Sequence, residues 1–179
     1  MDTGRVSARY ANALMEWAIE KNCSAETYMQ AQNLLSYIVA NSNLRTLIGS
    51  NSILAQTRDT MILSFVQKFT PILEQYVLLL IRKNRVSNLY NSLLLFSNKY
   101  RKHFGLIRVD VTSASELSES IKDGLEKHIA IHFGRKPEMY YAVDNNIIGG
   151  FILQVENQEL DKSIRGEINL IKKQFLAHR

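Results

Sequence analysis

The sequence predicts an α+β protein: a six-helix N-terminal bundle over residues 1–105, then a smaller α/β domain over residues 106–179. Three observations carry this expectation. Apolar side chains recur at helical spacing through the first hundred residues. After Gly105 the period shortens to two and β-branched residues gather. Only eight glycines and two prolines punctuate 179 residues, which favours long regular elements over a turn-rich β architecture. At 46% hydrophobic and 22% charged, the chain has the side chains for a core and lacks a disordered composition.

The spacing predicts a first helix over residues 5–21 with a polar arc of Arg5, Arg9, Asn12, Glu16 and Glu20. Val6, Tyr10, Leu14 and Trp17 form one apolar stripe, and Ala8, Ala11, Met15 and Ala18 a second, of mostly small side chains. A surface helix needs one stripe for its own core. Two stripes imply either burial between neighbours or a groove shared with an outside helix. Ser24 is expected to cap the second helix, whose apolar side holds Ala31, Leu34, Leu35 and Ile38. A short helical piece follows over residues 44–48, then a looser helix over 53–69 with Ile62 and Phe65 among its apolar positions.

Thr70 followed by Pro71 reads as an N-cap with proline at the first helical position. The helix it opens is apolar nearly all round, so it should be the spine of the domain, and any uncovered face would be a sticky groove wall. Asn84 ends it. Residues 86–103 form the last helix, with Leu89, Leu93, Phe96 and Tyr100 on one side. Six helical pieces joined by short links describe an antiparallel-type bundle.

In the second half, residues 106–112 alternate as a strand with one buried face. Residues 117–131 follow as a helix after Ser115, residues 139–143 as a second strand and 147–155 as a third. Residues 156–159 are expected to turn, and residues 163–177 to close the chain as a helix with Ile164, Ile168, Ile171 and Phe175 inward. About 74 residues are short for a free-standing core, so this half is expected to be marginal alone.

Bond-making chemistry finds little support. Gly149-Gly150 lacks the Lys-Ser/Thr of a phosphate loop and the spacing of a dinucleotide site, and reads as a close approach or a bend. His128 and His132 sit four apart on a helix without a certain third ligand, so no metal site and no cofactor are expected. Cys23 is the single cysteine, which excludes an internal disulfide and fits a reducing compartment. No carboxylate pair stands out for acid–base work, and no catalytic residue is assigned.

The net charge of +5 is uneven: 12 basic and 6 acidic residues precede Leu106, and 10 basic and 11 acidic residues follow. That balance allows an acidic protein partner or, as the alternative function, a nucleic-acid-binding helical adaptor. Against nucleic acid, the basic residues are thin and the aromatics sit at core spacing. The longest apolar run, residues 76–81, falls far short of the roughly 20 residues that cross a bilayer.

Arg9-Tyr10-Ala11-Asn12-Ala13-Leu14 resembles the opening helix of the delta subunit of bacterial F-type ATP synthase, counterpart of the mitochondrial oligomycin-sensitivity-conferring protein. Leu79-Leu80-Ile81-Arg82-Lys83-Asn84-Arg85-Val86 is similar to that family's mid-chain helix and Asn-Arg link. Val109-Asp110-Val111-Thr112-Ser113-Ala114 is similar to its entry into the second half. Val143-Asp144, Ile147-Ile148-Gly149-Gly150-Phe151 and Asp161-Lys162-Ser163-Ile164-Arg165 resemble its C-terminal signature. The tyrosine-rich segment 136–141 has no distinctive match.

The resemblance implies a non-catalytic stator subunit of the peripheral stalk in a proton-translocating complex. Its helical domain would take the N-terminal helix of an alpha subunit between its first and fifth helices, and its second domain would meet the b subunits, with residues 163–177 in that surface. The implied groove residues are Tyr10, Ala11, Leu14, Met15 and Ala18 on the first helix, with Tyr76, Val77, Leu79 and Leu80 on the fifth. The small stripe of Ala11 and Ala18 is expected to face the partner. No nucleic acid is implied, and membrane association would be indirect through the complex. The lack of a basic, acid-free leader favours the bacterial form, on the cytoplasmic face of the inner membrane.

Overall fold

The computed structural model describes residues 3–49, 55–66, 70–156, 158–168 and 172. The chain divides into two units, Met1–Tyr100 and Arg101–Arg179.

The helical spacing of the first hundred residues becomes α1 (Thr3–Glu20), α2 (Ser24–Ala40), α3 (Ser42–Gly49), α4 (Ala55–Val66), α5 (Pro71–Arg82) and α6 (Leu89–His103). Two chain reversals use asparagine, whose side chain tolerates the left-handed backbone region. At the end of α1, Asn22 has φ 53, and the Cys23 N–H donates to the Ala18 carbonyl at 3.0 Å. At the end of α5, Asn84 has φ 51, and the Arg85 N–H donates to the Leu80 carbonyl at 2.8 Å.

Several boundaries depart from expectation. Cys23, not Ser24, is the N-cap of α2, because the reversal at Asn22 brings the chain to helical angles one residue earlier. The last helix opens with a 3-10 turn, Val86–Asn88, set by the tight exit from Asn84. Of the helix expected over 53–69, Ile62 is buried, while Ile53, Phe65 and Phe69 lie outside the described side chains. Thr70 and Pro71 stand at the N-cap and first turn of α5, as expected.

The core of this unit includes Leu14, Leu34, Tyr76, Leu80, Leu93 and Phe96, all nearly sealed from solvent. Buried polar side chains tie its elements together. The Tyr76 hydroxyl donates to Ser92 Oγ at 2.6 Å, and Asn88 Nδ2 donates to Ser7 Oγ at 3.0 Å. Burial pushes the Tyr76 phenol well above the ordinary tyrosine range, against the opposing effect of its bond to Ser92. Tyr28 stacks on Tyr100 with ring centroids 4.1 Å apart.

The second unit is a four-stranded mixed sheet carrying one helix. Its elements are β1 (Leu106–Ser113), α7 (Glu119–Phe133), β2 (Lys136–Val143), β3 (Gly150–Val155) and β4 (Gln158–Ser163). The strand order is β2-β1-β3-β4, with β2 parallel to β1 across the α7 crossover and the other pairs antiparallel. β1 buries Ile107, Val109, Val111 and Ser113 in strict alternation, which is the period-two pattern of its sequence. Ile129 of α7, with Leu153 and Val155 of β3, completes that core. Gly134, at φ 61, closes α7 in the left-handed cap that glycine supplies without strain.

β4 departs from the expected turn over 156–159. Glu156 (φ 53) follows β3, and the chain pairs again from Gln158. The third strand also starts later, at Gly150, because residues 144–147 turn: the Ile147 N–H donates to the Asp144 carbonyl at 3.0 Å. After β4, residues 164–168 are helical. Ile164 and Ile168 are each 45% exposed rather than inward, since the helix starts beyond the edge strand while α7 fills the core. Ile171 and Phe175 lie outside the described residues.

Candidate functional site

α1 and α5 each pack on α2 and on the 3-10 turn more closely than on one another. A seam therefore stays open between them, and two cavities lie along it. The wider, about 480 Å³, is lined by Val6, Arg9, Tyr10 and Ala13 of α1, and by Leu79, Lys83 and Arg85 from the end of α5 and its link. The narrower, about 300 Å³, is lined by Trp17, Lys21, Cys23 and Glu26 on one side, with Thr70, Pro71, Ile72 and Gln75 on the other. The helices run past each other in opposite senses, so Trp17 faces the start of α5 and Val6 its end.

Val6, Tyr10, Ala13 and Trp17 recur every three or four residues, which puts them on one line of α1. Ile72, Gln75 and Leu79 do the same on α5. From Val6 to Trp17 the line spans about 16 Å, or three helical turns. Tyr76 lies buried between those α5 positions.

Of the nine groove residues implied by the resemblance, Tyr10 and Leu79 line this seam and remain partly exposed. Leu14, Met15, Tyr76, Val77 and Leu80 are buried inside the unit. Ala11 and Ala18 are 0% exposed, so the small stripe does not face outward. Its small side chains are consumed by the unit's own helix packing. The open α1 wall takes Val6, Tyr10 and Trp17 from the other stripe, without its buried Leu14, and adds Ala13. Ile72 joins Leu79 on the α5 side, and Val6, Ala13, Trp17 and Ile72 are residues that the expected groove set left out. Their signal was present: Val6, Tyr10 and Trp17 already formed a stripe on the helical wheel.

In the second unit, α7 covers one part of the inner face of the sheet. Beside it lies an apolar cavity of about 530 Å³. Phe151, Leu153 and Leu160 line its sheet side, and Leu125, His128, Ile129, His132 and Phe133 its helix side. The two histidines thus share a largely hydrophobic wall. Among the described residues no group of three or more His, Cys, Asp or Glu side chains is placed to hold a metal ion.

The residues that carry the C-terminal resemblance form one local assembly. Asp161 Oδ1 accepts the Ser163 N–H at 2.8 Å, and Ser163 Oγ accepts the Gly166 N–H at 3.0 Å, an N-cap for the helical residues that follow. The hydrogen bonds from Ser163 hold the Asp161 carboxyl below the usual carboxylate range. The Ile164 N–H donates to the Gly149 carbonyl at 3.0 Å. Gly150 has φ 81, and a Cβ there would collide with the Lys162 carbonyl oxygen. Together these residues join the β3–β4 ladder to the helix start, which is a structural role.

The all-helical unit thus carries a seam about three turns long, and the small sheet unit an apolar cavity of its own. Comparison with known proteins gives the family. The sequence model described as the ATP synthase delta (OSCP) subunit matches residues 6–175, and the chain belongs to that family. It is 32% identical over 164 residues to the ATP synthase subunit delta of Trichormus variabilis, covering 91% of this chain and 90% of the relative. It is 26% identical over 166 residues to that of Caulobacter vibrioides, covering 92% and 90%. A chain in the cryo-EM structure of the Toxoplasma gondii mitochondrial ATP synthase hexamer shares the fold, with a TM-score of 0.69 and 18% identity. That match covers 95% of this chain and 97% of the other. No helix among the described residues is long and apolar enough to cross a membrane.

Proposed function

We propose that this chain, a stator subunit of an ATP synthase by family, works as a mechanical link with no bond chemistry of its own. Its N-terminal helices act as a six-helix bundle that receives the N-terminal helix of an alpha subunit of the catalytic head. Its C-terminal unit meets the b subunits of the peripheral stalk. Proton flow turns the rotor, the head would turn with it, and this chain transmits the counter-torque to the membrane-anchored stalk. Membrane attachment is then indirect, on the cytoplasmic face of the bacterial inner membrane.

The observation that carries the head contact is the seam between α1 and α5. It is about three helical turns long, with Val6, Tyr10 and Leu79 lining its wider cavity and Trp17 and Ile72 its narrower one. An amphipathic helix laid in such a groove buries apolar surface worth roughly 25 cal/mol per Å². The stalk contact is supported by the open cavity between α7 and β3–β4, which leaves Leu160 49% exposed.

Calorimetric titration of the full chain with the N-terminal 25-residue peptide of its own organism's alpha subunit tests the head contact. One-to-one binding absent with a scrambled peptide is expected. A folded chain that binds neither peptide would count against the seam as the docking site.

A further inference from the structure

The seam is electrically lopsided. Arg9, Lys83 and Arg85 line its wider cavity with no carboxylate among the lining residues. In the narrower cavity, Lys21 is matched by Glu26. Three unit positive charges therefore stand at one end of the apolar line and a balanced pair at the other. The partial charges of the helix ends are about half a unit each and do not level this difference.

Two of the three cations come from the link that follows α5. Asn84 in the left-handed region turns the chain so that Lys83 and Arg85, on either side of it, reach the same cavity. Arg9 faces them from α1, one residue before Tyr10 of the apolar line. A helix seated on Tyr10 and Leu79 would bring its flanking side chains to these three cations. Neutral or basic flanks would leave the cations partly desolvated without compensation, whereas carboxylates would pair with them.

We propose that the helix received by the seam is charge-polarised: it carries carboxylates at the end seated against Arg9, Lys83 and Arg85, and those charges set its orientation. The inference rests on the docking reading above and adds the chemistry of the partner to it. The neutral end of the helix lies beside Trp17, the single tryptophan of the chain.

The test uses the full chain and two probes: the cognate alpha-subunit N-terminal peptide, and the same peptide with every Asp and Glu replaced by its amide. Three rim-exposed pairs, each worth a factor of about two to five, predict roughly 10- to 100-fold weaker binding of the cognate peptide when Arg9→Gln, Lys83→Gln and Arg85→Gln are combined. Raising salt from about 50 to 500 mM should give a similar loss. The amide peptide should bind the wild-type chain about as weakly as the cognate peptide binds the triple variant, and should not distinguish the two proteins.

A nitroxide at the neutral end of the cognate peptide should quench Trp17 fluorescence, and one at the acidic end should not. Tight binding that is indifferent to salt and to the triple variant would overturn the charge inference and leave the docking reading standing. Equal quenching from both ends would do the same. No binding by either peptide to a folded chain would overturn both.

Discussion

Leu79→Asp is the substitution that separates the seam from the fold beneath it. Leu79 lines the wider cavity and is partly exposed, whereas its neighbour Leu80 is fully buried in the core. Docking would bury the rest of Leu79. Fully burying a leucine is worth about 1.5–3 kcal/mol, so the remaining share is about 1 kcal/mol. A carboxylate in its place loses hydration on docking and competes with the partner for the cations that line the cavity, which adds about 1–3 kcal/mol. The sum, about 3 kcal/mol, is roughly a hundredfold in affinity. The free protein should tolerate the change, since an aspartate four residues before Lys83 is a favourable helical pair. Anisotropy of a labelled alpha-subunit peptide measures the affinity, and thermal unfolding checks the fold. Affinity within threefold of wild type, at an unchanged Tm, would refute the placement of Leu79 in the interface. Ala11→Trp is the contrast: Ala11 is 0% exposed, so the larger ring costs about 1–3 kcal/mol of stability and lowers Tm.

Tyr76→Phe should cost about 1 kcal/mol of stability by removing the bond to Ser92, measured by denaturant unfolding, because Ser92 Oγ keeps its bond to the Leu89 carbonyl. Ile129→Ala should destabilise the second unit by about 2–5 kcal/mol through a core cavity, seen as lost amide protection in β1 and β3 while peptide binding at the seam is kept. Gly150→Ala should destabilise the same unit, since its φ of 81 and the Lys162 carbonyl leave no place for a Cβ. Gly124→Ala, on α7 with open space beside it, should instead stabilise by about 0.5–1 kcal/mol; calorimetric Tm values of opposite sign check the pair. The bond from Arg135 holds the Glu156 carboxyl low, and Ser163 does the same for Asp161. Because both folded values lie below the unfolded ones, their stabilisation is present above about pH 4 and is lost as pH falls through the folded values. Carboxyl NMR titration should show Asp161 returning toward the ordinary range in Ser163→Ala.

Elements with a strong apolar period were legible in the sequence. The alternation from Leu106 gave β1 its buried face, and Thr70-Pro71 marked the start of α5. β4 was not legible, because five of its six residues are exposed and it forms by pairing its backbone with β3. Periodicity carries no information about an edge strand that contributes little to the core. The site was half legible. The two stripes of α1 were visible on the helical wheel, but which one faces outward depends on where α2 and the 3-10 turn pack, and that is a tertiary fact. Small side chains suggested an open groove for a third helix; in the fold, Ala11 and Ala18 are spent on close packing inside the unit. The Gly149-Gly150 pair was read as a close approach, and the collision of a Cβ at Gly150 with Lys162 is that approach.

Coupling of the catalytic head to the stalk by contact alone, as proposed, has a direct test. Membranes of its own organism, stripped of this subunit, should hydrolyse ATP without pumping protons, and adding back the purified chain should restore ATP-driven acidification measured by dye quenching. The Leu79→Asp chain should fail to restore it at concentrations where the wild type succeeds. Full acidification without the subunit, or equal rescue by Leu79→Asp, would contradict the account.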